Sequence, residues 1–169
     1  PLKVMGEIDP EDIYHSYRAY PERMTKWIEN LKEGESAFNN TSPEQIPHII
    51  KNNKIVTNQN KNGDKYKRCY WDMPMFCIHT RNDELASQMT VHPSDNRVFS
   101  IRELMKCMTI PDNFRWSGTS FNKLNNISPD EKKRFLKKQE LNIRRCIGEA
   151  VPPVIFKKIA CNARSALAK

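Results

Sequence analysis

Ile147-Gly-Glu-Ala-Val-Pro-Pro153 lies within the longer run Asn142-Ile-Arg-Arg-Cys-Ile-Gly-Glu-Ala-Val-Pro-Pro-Val-Ile-Phe-Lys-Lys-Ile-Ala160. A basic helical run breaks at Gly148, turns through Pro152 and Pro153, and resumes as a second helical run. Glycine at the end of one helix and proline at the start of the next is the usual asymmetry of helix termini. The joint reads as a corner between two amphipathic helices or as the wall of a site.

Upstream of the joint, Ser128-Pro-Asp-Glu131 has the form of a capping box and predicts the start of the basic helix, which then runs to Ile147. Ser100 and Glu103 predict a second capped helix through Leu104, Met105 and Met108, ending before Pro111. Asp9-Pro10-Glu11-Asp12 predicts a helix start with Ile13, Tyr14 and Tyr17 on its apolar side. Pro21-Glu22 predicts another, with Met24, Trp27, Ile28 and Leu31 at helical spacing until Gly34. Ser42-Pro43-Glu44-Gln45 predicts a short helix through Ile46, Ile49 and Ile50, and the last helix is expected from Pro153 onward.

From Lys54 the texture becomes β-like. Lys54–Thr57, Tyr66–Trp71 and Met75–His79 are the expected strands, with Asn62-Gly63 as a strong turn dipeptide. The expected fold class is α+β, with helices at both ends around a small β-rich insert. Residues 1–53 form the helical lead-in, 54–96 the β-rich region and 97–169 the helical C-terminal segment.

The 169 residues, 38% hydrophobic and 28% charged, suffice for one domain with a core. A net charge of +8 favours a polyanionic partner such as nucleic acid, then an acidic protein surface; well-solvated Lys-rich helices are the bland alternative. Five cysteines without a CxxC pair read as reduced intracellular thiols, and Cys77-Ile-His79 is too poor in ligands for zinc. No run reaches the apolar length of a membrane span and no signal peptide opens the chain, so a cytoplasmic location without a membrane partner is expected. Pro1 in place of Met hints at a piece of something longer.

The scattered glycines build neither a dinucleotide loop nor a P-loop, and HExxH and GxSxG are missing. Cys146, beside Arg144 and Arg145, fits a buried helix position better than a nucleophile's. The chain by itself is therefore not expected to carry out chemistry. Asn60-Lys-Asn-Gly-Asp-Lys-Tyr-Lys-Arg68 is more informative, because Lys and Arg reach phosphates or guanine acceptors and Asn reads adenine. His79-Thr-Arg-Asn-Asp83 is a second polar cluster. An ordinary hairpin loop has the same composition, so both readings stay open.

Two segments favour a site. Arg97-Val-Phe-Ser-Ile-Arg-Glu-Leu-Met-Lys-Cys-Met-Thr-Ile-Pro-Asp-Asn-Phe114 resembles the penultimate signature of DNA cytosine-5 methyltransferases, and Ile147–Pro153 resembles their last signature, Ile-Gly-Asn-Ala-Val-Pro-Pro. Tyr66-Lys-Arg-x-x-Trp-Asp-x-Pro74 is similar to the segment closing their target recognition region, and Pro21 to Gly34 is a weaker echo of its lead-in helix. Such enzymes flip a cytosine out of the duplex, attack it with a cysteine and methylate it from S-adenosylmethionine. The attacking cysteine follows proline in that family. Here the residues before the cysteines are Arg68, Phe76, Lys106, Arg145 and Ala160, so no catalytic residue is expected in this chain.

The resemblance implies an incomplete part of a methyltransferase fold, comprising the target recognition region and the last two signatures of an enzyme of restriction-modification type. Its implied partners are double-stranded DNA and the catalytic half, in the same parent chain or as a separate subunit. Implied DNA contacts are Asn60, Lys61, Asn62, Gly63, Lys65, Lys67, Arg68, Arg81 and Asn82. Gly148, Glu149, Ala150 and Val151 would form part of the S-adenosylmethionine pocket. Ser100, Arg102 and Glu103 would organise the fold internally, and no metal site is implied. Three positions depart from the family pattern: Glu149 stands for Asn, Lys106 for Arg, and Cys77 where a Thr is expected. The rival reading, a non-catalytic basic helical module binding RNA or a protein, accounts for the charge but not for the two signatures together.

Overall fold

Serine caps set the two helices that organise the core. Residues 2, 4–57 and 62–168 are described by a computed structural model of the chain. In α2 (Ile101–Cys107) and α4 (Pro129–Glu149), Ser100 and Ser128 accept from the amides of Glu103 and Glu131 while those glutamates bond back to the serine amides. Both capping boxes thus form where the spacing predicts them, satisfying amides that a helix start leaves unpaired. The remaining helices are α1 (Glu22–Ile28), α3 (Phe121–Asn125) and α5 (Pro153–Leu167), with a 3-10 turn at Ala37–Asn39.

The larger core gathers Ile101, Leu104 and Met105 of α2 with Leu136, Ile143 and Ile147 of α4, closed by Ile13 and Tyr14 from the N-terminal segment. The buried face of α4 runs Lys132, Leu136, Ile143, Arg144, Ile147, so two cations sit on a core-facing stripe. Lys132 is accommodated because its Nζ donates to the Pro10 carbonyl at 2.6 Å. A second cluster joins Trp27 and Ile28 of α1 to Leu31, Ala37, Leu85, Val91 and Val98.

Four predicted elements differ. Residues 9–17 are not helical: Asp9 and Asp12 turn their carboxylates onto the amides of Glu11 and Tyr14, and Ile8 bridges to Ser16 as an antiparallel pair. Side chains that cap helices also close such Asx turns, and here the long-range bridge wins. The helix expected from Ser42 stops as a turn, and Ile49 and Ile50 lie in β1 (His48–Lys51), antiparallel to β2 (Lys54–Thr57). Asn52 and Asn53 both have positive φ (48° and 58°), as a two-residue type I′ hairpin requires. The expected strands around Tyr66–Trp71 shrink to isolated bridges, Ser36 to Lys67 and Arg68 to Val91, and Met75–His79 carries no strand. The β content of the described residues is thus one small hairpin plus bridged loops, in an α+β chain.

Candidate functional site

The joint between α4 and α5 is built by close approach. α4 continues through Gly148 to Glu149, so Gly148 does not break the helix as expected. A Cβ at Gly148 would lie 2.5 Å from the carbonyl carbon and oxygen of His79 and 2.5 Å from the Thr80 amide nitrogen. Only glycine lets the helix rest on that backbone. One turn earlier, fully buried Arg144 donates from Nη1 to Asn82 Oδ1 (3.2 Å) and from Nε to Glu140 Oε1 (2.9 Å). Asn82 Nδ2 returns bonds to the carbonyls of Arg144 (2.8 Å) and His79 (2.7 Å). Residues 79–82 are therefore clamped to the last turns of α4.

Beyond the clamp the chain opens to solvent. Glu149 bends back along the helix to Arg145 (2.9 Å), away from the joint. Ala150 and Val151 are exposed, Ala150 is extended (φ −81°, ψ 154°), and Pro152 and Pro153 start α5. Past the turn, the Val154 amide donates to Thr109 Oγ1 at 3.2 Å.

Beneath α2 lies a buried ionic cluster. Arg97 makes a two-pronged pair with Glu103, from Nη1 to Oε2 at 2.7 Å and Nη2 to Oε1 at 2.8 Å, and also meets Asp95 Oδ2 from Nε (2.8 Å). Burial alone would raise the Glu103 carboxyl; the bonds and charge of Arg97, with the Ser100 amide, outweigh it and hold Glu103 at about 2. Arg102 reaches across to Asp12 and to Asp112 (3.0 Å), with its guanidinium 4.9 Å over the Phe121 ring. Ser100, Arg102 and Glu103 thus face partners inside the chain.

The residues implied as DNA contacts divide into distinct groups. Asn60 and Lys61 lie outside the described residues. Asn62, Gly63 and Lys65 are exposed on a turn, where Asn62 Oδ1 accepts from the Asp64 amide (3.0 Å). Lys67 is half-buried, 3.7 Å from Asp64, and Arg81 is exposed but paired with Asp83 (3.1 Å) and Glu84. Two expectations need correction. Arg68 is 3% exposed, and its guanidinium donates to the carbonyls of Ile28 (2.8 Å), His92 (2.8 Å) and Asp95 (3.0 Å) and to Asn96 Oδ1 (2.6 Å). It ties α1 to the 92–96 turn and offers no base-reading fork. Asn82 is likewise consumed by the Arg144 clamp.

Beside the clamp is a cleft of about 120 Å³ lined by Asp64, Phe76, Cys77, His79, Gln88 and Met89. His79 Nε2 lies 2.8 Å from Gln88 Oε1, and Gln88 Nε2 donates to Asp64 Oδ2 at 3.4 Å. Sequence reasoning missed both Gln88 and Phe76: Gln88 lies beyond the last expected strand with no motif around it, and Phe76 reads only as one residue of the expected strand Met75–His79. Cys146 is exposed rather than packed, since the core-facing stripe of α4 passes through Ile143, Arg144 and Ile147. Cys69 is buried, its Sγ donating to the Met89 carbonyl, and burial pushes its thiol up to about 12, unsuited to nucleophilic attack. Among the described residues no His, Cys, Asp or Glu group could hold a metal ion, and no helix is long and apolar enough to cross a membrane.

α5 ends this arm of the molecule. None of its residues is buried, although Val154, Ile155, Phe156 and Ile159 are each at least 50% exposed apolar side chains. Ile155 and Ile159, four apart, share one side of the helix.

Residues 3–164 match the family model described as C-5 cytosine-specific DNA methylase. The chain is 30% identical over 155 residues to the type II methyltransferase M1.HgaI of Avibacterium volantium, covering 86% of this chain and 37% of that protein. It is 28% identical over 98 residues to the type II methyltransferase M.AgeI of Thalassovita gelatinovora, covering 58% of this chain and 18% of that protein. The chain thus spans little more than a third of the length of the first of these relatives. No solved structure gives a significant match.

Proposed function

The chain belongs to the C-5 cytosine-specific DNA methylase family, and from that membership we propose that it supplies DNA recognition and one wall of the S-adenosylmethionine pocket to a cytosine-5 methyltransferase of restriction-modification type. The catalytic half lies on residues outside this chain, in the same parent protein or in a separate subunit. The observation that carries this reading is the arm that leaves the clamp. An open extended joint is followed by a 15-residue helix without one buried residue, whose branched and aromatic side chains face solvent. Burying Ile155, Phe156 and Ile159 against a partner would contribute about 1.5–3 kcal/mol each, enough to make the arm a docking element.

The residues of the joint fit a contributory wall for the cofactor. Glu149 is drawn back to Arg145, so its carboxylate does not crowd the exposed backbone of Ala150 and Val151. S-adenosylmethionine supplies the methyl group when bound; the residues of this chain orient it and close one side against water. Double-stranded DNA is the polyanion that suits the +8 charge. The exposed residues Asn62, Gly63 and Lys65 are its candidate contacts, and Lys67 and Arg81 could join them by leaving their acidic partners Asp64, Asp83 and Glu84.

The test is transfer of a tritiated methyl group from S-adenosylmethionine to duplex DNA. The 169 residues alone should give no transfer, and adding the catalytic half should give transfer at a specific site. Turnover by this chain alone, or none with any cognate half, contradicts the proposal.

A further inference from the structure

The β1–β2 hairpin is not used by any of the contacts above. We propose that it is a separate base-reading ribbon that enters the major groove and reads an A·T pair, an inference that rests on the DNA-recognition reading. Its base is fixed. His48 is buried, its ring meets the Trp27 ring edge-on at 5.5 Å, and its Nδ1 lies 2.8 Å from the Ile46 carbonyl. Beyond that anchor the ribbon projects. Ile49 opposes Val56 and Ile50 opposes Ile55, and all four are at least 41% exposed. Because strand side chains alternate, these two pairs lie on opposite faces, so neither face of the ribbon is covered.

A two-stranded ribbon with branched aliphatics exposed on both faces is unstable in water and prone to association unless a partner takes it up. Its charge names the partner. Between His48 and Thr57 there is no acidic residue, and Lys51 and Lys54 oppose each other at the tip. The tip therefore suits a polyanion. The major groove of B-DNA admits a two-stranded β-ribbon, asparagine bonds adenine through two atoms, and aliphatic side chains contact the thymine methyl. Asn52 and Asn53 project at the tip for the first role, Ile50 and Ile55 serve the second, and Lys51 and Lys54 meet the flanking phosphates. The local sequence marks only its second strand, Lys54–Thr57; the first is hidden because Ser42-Pro43-Glu44-Gln45 imitates a helix start.

The experiment uses this chain assembled with its catalytic half and a library of randomised duplexes, recovering and sequencing the bound fraction. The pair Asn52→Gly and Asn53→Gly keeps the positive-φ turn and removes both amides. We expect the preference for A·T at one or two adjacent positions to fall about 5- to 150-fold, with the other preferences intact. Lys51→Ala with Lys54→Ala should weaken all sequences alike and reduce the slope of affinity against salt by about 2. Selective wild-type binding with unchanged preferences in the glycine pair overturns the ribbon alone. Loss of assembly with the catalytic half in either pair also overturns it, making the hairpin a protein-docking element. A wild-type assembly that selects no sequence overturns the recognition reading itself.

Discussion

Replacing Gly148 with alanine adds one methyl group where α4 comes closest to the 79–80 backbone. In an unobstructed helix the change would stabilise by about 1 kcal/mol, since alanine outranks glycine in helix propensity. Here the new Cβ would sit 2.5 Å from three backbone atoms of His79 and Thr80, none of which can rotate aside. Backbone must shift by about 1 Å, and overpacking of this kind costs about 1–3 kcal/mol. The shift also stretches the bonds between Asn82 and Arg144, now 2.8 and 3.2 Å, each worth about 1 kcal/mol. The net expectation is a loss of about 2 kcal/mol, or about 4–8 °C in Tm for a chain of this size. Thermal unfolding followed by circular dichroism measures it. Gly118→Ala is the control, because no atom lies within 4 Å of its Cβ, and it should stay within about 0.5 kcal/mol of wild type. A Gly148→Ala chain that melts at or above wild type refutes the close-approach reasoning and returns Gly148 to an ordinary helix position.

Other consequences can be measured in the same way. Arg68→Ala should cost about 3 kcal/mol in urea unfolding, because it strands buried carbonyls, and leave the base preferences of the folded assembly unchanged; a lost preference without lost stability would restore it as a base reader. Glu103 has its folded pKa depressed to about 2, so its contribution is full above its unfolded value and lost as pH falls from about 4.3 toward 2. That contribution is about 3 kcal/mol, and Glu103→Gln should flatten the acid limb of Tm against pH. Ile155→Glu with Ile159→Glu should leave the melting of this chain within about 0.5 kcal/mol of wild type and abolish recovery of methyl transfer with the catalytic half. Recovery at the wild-type level would remove α5 from the docking surface.

What was legible was local. Ser100 with Glu103 and Ser128 with Glu131 define their helices within one turn, so the spacing alone places α2 and α4. Asp9 and Asp12 carry the same type of signal but serve Asx turns, because pairing of Ile8 with Ser16, invisible to a local pattern, decides the outcome. The β1–β2 hairpin depends on two asparagines taking left-handed conformations, a weaker signal than Asn-Gly, and its apolar residues mimic a helical face. The joint was recognisable by its residues, yet the reason for its glycine was not. Gly148 answers to His79 and Thr80, about seventy positions away in sequence, not to the end of its own helix. Arg68 fails as a reader for the same reason: its acceptors come from residues 28 and 92–96.

We propose that these 169 residues carry the choice of DNA sequence for a methyltransferase whose chemistry lies on residues outside this chain. It is tested most directly by exchanging this chain for the corresponding segment of a relative, keeping one catalytic half, and mapping methylated cytosines across plasmid DNA by bisulfite sequencing. The methylated sequence should change with the exchanged segment. A methylation pattern that stays with the catalytic half would contradict the account.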